Sequence, residues 1–180
     1  MNFIPLSLSG AYEVQLEPRS DERGFFARMY CDEEFAAHGL NTNWPQINMS
    51  HSVEVGTLRG MHFQRSPNRE VKLVRCLQGC VADFIVDLRS DSVTFGEFLT
   101  VELSGDLRNA IYIPEGFAHG FQTLKSNSEL QYFHSTPYAP SSEGGVNPLD
   151  PALGIDWPLE PRNLSERDTA LPRLKDVPPL

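Results

Sequence analysis

Between Val71 and Arg89 the chain holds two apolar, β-rich runs, Val71–Cys76 and Cys80–Arg89, parted only by Leu77-Gln78-Gly79. Two such runs around a glycine-containing turn predict a hairpin. The same pattern recurs along the sequence. Strands are expected at Phe98–Leu103, Ala110–Ile113 and Ser128–His134, with turns at Ser92–Thr94 and Ser104–Asn109. Only Asp32–His38 reads as a helix, with acids at its start, and Asn163–Leu174 holds a short helical turn after Ser165. No repeat, low-complexity block or central linker intervenes. Many short strands punctuated by Gly and Pro predict an all-β fold, a closed sandwich or jelly roll with a few short helices. The competing all-β architecture is an immunoglobulin-like sandwich, and no Cys–Trp–Cys pattern supports it.

A chain of 180 residues, 40% hydrophobic and 22% charged, suits one domain over residues 1–180 with a real core. The formal net charge of −9 repels nucleic acid and anionic membrane, so neither is an expected partner. An anionic small ligand stays compatible with it wherever Arg and Lys cluster in a pocket. The three cysteines, Cys31, Cys76 and Cys80, are odd in number and match no zinc spacing. With no signal peptide and no apolar run of membrane-spanning length, the expected compartment is the reducing cytoplasm.

Five segments carry side chains able to do chemistry. In Leu58-Arg-Gly-Met-His62-Phe-Gln64, strand alternation puts Arg59 with Met61 and His62 with Gln64, with Gly60 as a bend where alternation can fail. Ile113-Pro-Glu-Gly-Phe-Ala-His119 sets a second histidine where a tight loop enters a strand. Lys72 sits between Val71 and Leu73, a costly place for a cation unless it is paired or functional. Tyr132 shares a strand face with Leu130, and Asp168 follows Ser165, a natural helix cap. Taken singly, each has a plain reading: a satisfied structural histidine, an incidental loop histidine, a rim lysine, a core tyrosine and a surface acid. Asp83 shares a face with Ile85 and Asp87 and, if inward, is expected near His62 or Lys72.

Taken together, these segments resemble the dTDP-4-dehydrorhamnose 3,5-epimerase family, the sugar-nucleotide cupins. The matching stretches, in family order, are Asp21–Phe26, Gln46–Ser52, Leu58–Gln64, Lys72–Arg75, Val86–Arg89, Ser92–Gly96, Ile113–Phe121, Tyr132–Tyr138, Asp150–Pro158 and Leu164–Asp168. The resemblance implies a cupin-type jelly-roll β-sandwich that acts on a nucleotide-linked 4-keto-6-deoxy sugar without a cofactor. It implies that His62 removes a proton beside the ketone, that Asp168 orients His62, that Lys72 steadies the enolate, and that Tyr132 returns or directs the proton from the opposite face. Substrate contacts fall on Gln46, Asn48, Arg59, His119 and Tyr138. Arg23 and Phe26 are lent by the neighbouring subunit of a homodimer.

Several positions depart from the family pattern. Arg28 stands where the family usually has Glu. The loop before Asp21 is short and lacks a Phe often found there to stack on the base. The Ser52–Arg59 segment is one residue longer, and Pro148-Leu149 replaces a Trp-Asn pair. Three of these changes lie near the nucleotide or its entry, so they bear on substrate preference more than on reaction type.

The implied chemistry is coherent. A 4-keto group acidifies the hydrogens on C3 and C5, and removing either leaves an enolate whose charge a lysine stabilises. Histidine serves as base near neutral pH, and a carboxylate behind it sets its tautomer. No metal is expected. A cupin metal site draws two histidines and a carboxylate from its first motif, and here Gln64 replaces the second histidine, leaving His62, Glu70 and His119. Four rival readings stand beside this one: inversion at C3 alone, the same chemistry on another nucleotide sugar, a non-catalytic cupin that binds a sugar nucleotide, and a metal-dependent cupin oxygenase. The joint presence of His62, Lys72, Tyr132 and Asp168 favours an enzyme over a binding module, and Gln64 weighs against the oxygenase.

Overall fold

In the computed structural model, which describes residues 1–180, the short apolar runs pair into two antiparallel sheets. One sheet has the spatial order β1 (Asn2–Pro5), β2 (Tyr12–Gln15), β10 (Asn109–Ile113), β7 (Lys72–Gln78), β12 (Ser128–His134), β5 (Gln46–Ser52). The other runs β13 (Glu143–Gly145), β6 (Leu58–Gln64), β11 (Phe117–Thr123), β8 (Cys80–Asp87), β9 (Phe98–Ser104). A separate ribbon joins β3 (Arg19–Asp21) to β4 (Gly24–Phe26). From β5 to β13 the chain changes sheet at every connection except β8 to β9. That winding is the expected jelly roll.

The hairpin expected across Gly79 does not form. β7 pairs with β10 and β12, whereas β8 pairs with β11 and β9 in the opposite sheet. The chain turns a corner at Gly79, whose φ is +79°. A Cβ there would stand 2.8 Å from the Cα of Ser128, so the corner demands glycine. Local pattern marks two strands and a turn; the sheet each strand joins depends on partners far away in sequence. The true hairpin lies one strand later, between β8 and β9.

Every residue of β8 is buried, because both faces of its sheet are covered. On the inner face Val81 and Ile85 pack with Val74, Cys76, Ile111 and Leu130 from the facing sheet. On the outer face Ala82, Phe84 and Val86 lie under Leu153, Val177 and Leu180 from the C-terminal segment. Trp157 closes on Phe84 with ring centroids 4.5 Å apart. The helix expected at Asp32–His38 is α1 (Asp32–Ala37), and it covers the outer face of the first sheet. Its Phe35 is fully buried against Leu73, Ala110 and Tyr112, a burial worth on the order of 2 kcal/mol.

Two local devices hold the ends of this framework. The loop after β8 is tied by Asp87, which accepts hydrogen bonds from Arg89, Ser92 and Thr94. Burial opposes charge there, yet these donors draw the Asp87 carboxyl down to about 2. Near the C-terminus, α2 (Glu166–Thr169) begins at Ser165, whose hydroxyl accepts the Asp168 N–H at 3.0 Å. No helix is long and apolar enough to cross a membrane.

Candidate active site

Both sheets line a cavity of about 320 Å³. Arg59, His62 and His119 reach it from β6 and β11, and Asn48, Lys72 and Tyr132 from β5, β7 and β12. The approach of Arg59 corrects the alternation read from sequence. β6 pairs His62 with His119 but Arg59 with Phe121, so β6 carries one extra residue across this step. A bulge reverses the faces beyond it. Arg59 therefore shares the cavity with His62, while Met61 turns into the apolar cluster with Phe84 and Val146. Gly60, at φ +133°, sits at the bulge, and a Cβ on it would fall 2.5 Å from the Cα of Gly120.

Two histidines on the second sheet are each backed by a carboxylate. His62 Nε2 lies 2.8 Å from Asp168 Oδ1. Asp168 is buried, and its second oxygen accepts the Gly60 N–H at 3.4 Å. Burial works to raise the Asp168 pKa, but the hydrogen bond and charge of His62 and the Gly60 N–H hold it below its ordinary value. An ionised Asp168 keeps a proton on Nε2 and leaves Nδ1 of His62 as the basic nitrogen. Asp168 is thus not the surface acid of its plain reading. His119 Nε2 lies 2.8 Å from Asp83 Oδ2. Asp83 is fully buried, and burial pushes its pKa up against the opposing pull of His119 and Lys72. Its hydrogen-bond partner is His119, and Lys72 is close enough for its charge to act on Asp83, in line with the expected neighbourhood of Lys72.

The first sheet supplies the facing groups. Lys72 is buried, with Nζ 3.2 Å from Glu70 Oε1 and 3.4 Å from the His62 carbonyl. The Tyr132 hydroxyl lies 2.8 Å from Ser50 Oγ, and its ring stands edge-on to His119. Burial raises the Tyr132 phenol above its ordinary range, so it stays a protonated donor. Glu70 also receives His134 at Nδ1, 2.7 Å away.

Of the residues singled out in the sequence, His62, Lys72, Tyr132, Gln46, Asn48, Arg59, His119 and Tyr138 line this one cavity, and Asp168 stands directly behind His62. Arg59 is held by Ser52 Oγ at 3.2 Å and the His51 carbonyl at 3.1 Å. The Gln46 side-chain oxygen accepts the Tyr138 N–H at 2.9 Å. Gln64 turns its amide to backbone groups of Asn68, Pro137 and Ala139. Arg23 and Phe26 are not brought to the cavity of their own chain. They lie on the exposed β3–β4 ribbon, where Arg23 pairs with Asp21 and Phe26 is 76% exposed. Sequence reading gave no part to Ser50, to Glu143, which pairs with Tyr138 and Arg167, or to the Glu70–His134 pair. Glu70 had been weighed only as a metal ligand, and its partner His134 lies 64 residues away in sequence.

A jelly roll whose two sheets present a carboxylate-backed histidine and a buried phenol to the same cavity belongs, by fold and site, with the cupin-type carbohydrate epimerases. Comparison with known proteins narrows this. A family model described as dTDP-4-dehydrorhamnose 3,5-epimerase matches residues 5–176. The dTDP-4-dehydrorhamnose 3,5-epimerase of Salmonella typhimurium is 45% identical over 163 residues, covering 88% of each chain. The structure of the Legionella pneumophila dTDP-6-deoxy-D-glucose-3,5-epimerase in complex with dTDP-4-keto-L-rhamnose superimposes with a TM-score of 0.92, at 38% identity over 98% of this chain and 94% of that one. A 3′-monoepimerase from Streptomyces bikiniensis, in complex with dTDP-quinovose, gives 0.89 at 36% identity, over 96% and 87%. The chain belongs to the dTDP-4-dehydrorhamnose 3,5-epimerase family.

Proposed function

We propose that this epimerase inverts C3 and C5 of dTDP-4-keto-6-deoxy-D-glucose, giving dTDP-4-keto-L-rhamnose. The observation that carries the reading is the opposition of His62 and Tyr132, which come from facing sheets to one cavity with Lys72 beside them. His62 Nδ1 takes the proton from the carbon next to the ketone. Electron density moves onto the ketone oxygen, where the Lys72 ammonium stabilises the enolate. The Tyr132 phenol returns a proton to the opposite face, which inverts the centre. Asp168 holds the His62 tautomer and stabilises the imidazolium. Gln46, Asn48, Arg59, His119 and Tyr138 hold the nucleotide and sugar. Arg59 is the natural partner of the diphosphate, because its planar fork meets phosphate oxygens in pairs. The three cysteines are unpaired, in keeping with a reducing cytoplasm.

Turnover in heavy water tests the reaction. Deuterium is expected at both C3 and C5 of the product, read by mass and NMR. Label at C3 alone would make this chain a single-centre enzyme, a reading favoured by its likeness to the S. bikiniensis 3′-monoepimerase. No label would sink the assignment.

The chain works as a homodimer in which Arg23 and Phe26 complete the cavity of the other copy. This is supported by the ribbon that carries them, whose residues are all exposed and lie outside their own chain's cavity. A mixture of two weakly active variants, Arg23→Ala and His62→Ala, should then regain activity, because mixed dimers contain one site with both residues intact. The recovered rate should approach a quarter of wild type for random pairing. Activity no greater than that of the separate variants would rule out the shared site.

A further inference from the structure

We propose that His134, acting through Glu70, sets the charge that Lys72 offers to the reacting ketone, and so is a positioning residue for proton transfer. The proposal rests on the epimerase reading above.

The geometry is a buried row of three charges. Glu70 has one carboxylate oxygen 2.7 Å from His134 Nδ1 and the other 3.2 Å from Lys72 Nζ. The side chains of Glu70, Lys72 and His134 are 8%, 9% and 13% exposed. His134 and Lys72 face each other in the β12–β7 register, so the row lies across the sheet at the cavity. Burial favours the neutral acid for Glu70, but the His134 hydrogen bond and the charge of Lys72 keep its pKa below the ordinary value. Glu70 is therefore an anion throughout the working range.

An anion 3.2 Å from the Lys72 ammonium largely cancels the charge an enolate needs. A proton on His134 reverses this. The carboxylate is then shared by two cations, and the row carries a net single positive charge. The second ring nitrogen, Nε2, lies 3.4 Å from Asn48 Nδ2. Neutral His134 accepts from that amide; protonated His134 cannot, which releases Asn48 towards the ligand. An anionic enolate or diphosphate in the cavity favours the protonated form.

Other charges reach the same space. His62 and Arg59 come from β6 with Asp168 behind, His119 from β11 with Asp83 behind it on β8, and Glu143 from β13 with Arg167. β5 contributes only neutral groups, Gln46, Asn48, Met49 and Ser50. On the same strand, Tyr132 ionises only above the ordinary phenol range. The sign follows. His62 must lose its proton to act, so the rate rises with pH on the acid side. His134 must keep its proton, so the rate falls as pH rises and His134 gives it up.

The test is the pH profile of kcat for deuterium incorporation in wild type, His134→Asn and Glu70→Gln. The His134→Asn amide nitrogen takes the place of Nδ1, so it still donates to Glu70 but never carries charge. We expect His134→Asn to lose about tenfold in kcat on the acid side of the fall, and to lose the fall itself, with KM changing less. Glu70→Gln, which removes the group His134 acts through, should also abolish the fall. A wild-type alkaline fall in His134→Asn overturns the proposal, as does an equal loss at every pH, which is what simple structural support gives. Absence of exchange in wild type would instead overturn the epimerase reading. The charge row is then read by NMR of the histidine rings: dTDP should add a proton to His134 in wild type and not in Glu70→Gln. An unchanged His134 ring would sink the row itself.

Discussion

His62→Ala should lower deuterium incorporation at C3 and C5 by about a thousandfold, the scale of a lost general base. The expectation rests on an imidazole that lines the cavity beside Lys72 while Asp168 holds its Nε2. Alanine also strands Asp168, a buried carboxylate whose main stabilising partner is His62. Some loss of melting temperature is therefore expected, and it must be separated from the loss of chemistry. His62→Gln serves that purpose, because its amide nitrogen takes the place of Nε2 and still donates to Asp168 but is no base. Both variants should bind dTDP and stay folded, and both should fail to exchange. Exchange at the wild-type rate in folded His62→Gln would assign the base elsewhere, with His119 the next candidate.

Tyr132→Phe should slow inversion about a hundredfold with dTDP affinity within about threefold of wild type, since only the hydroxyl is removed. The phenol is buried beside His119 and bonded to Ser50, and burial keeps it protonated. It can donate, whereas the base lies across the cavity on the other sheet. The two half-reactions should therefore separate. His62 still removes the proton and still returns one from its own side, so label should enter with configuration retained. Product mass and C3 stereochemistry, followed together, read this. A fall in dTDP binding with normal inversion of bound substrate would make Tyr132 a wall of the site and not its acid.

Part of this site was legible before any fold. The ordered motifs from Asp21 to Asp168 singled out His62, Lys72, Tyr132 and Asp168, and all the singled-out residues but those of the ribbon converge on one cavity or stand directly behind it. The Ser165 cap foretold α2, because a helix start is written in adjacent residues. The Gly79 corner was misread as a hairpin because a turn between two apolar runs looks the same whether the second run pairs with the first or crosses to the facing sheet. The nearness of Asp83 to Lys72 was legible, but its hydrogen-bond partner was not. Alternation shows which face a side chain takes, but His119 enters from another strand 36 residues on.

The sequence by itself marked the strands β6 to β10 and β12, the residue types they carry, and the family to which the chain belongs, because period-two alternation and turn chemistry act within a few residues; β1 to β5 and β13 went unmarked. The tertiary structure alone decided which strands share a sheet, where one extra residue in β6 swings Arg59 to the side of His62, and which carboxylate stands behind each histidine. The histidine–carboxylate partners lie 36 to 106 residues apart in sequence. A buried charge is tolerable only beside its partner, and that partner is set by the packing of the whole sandwich.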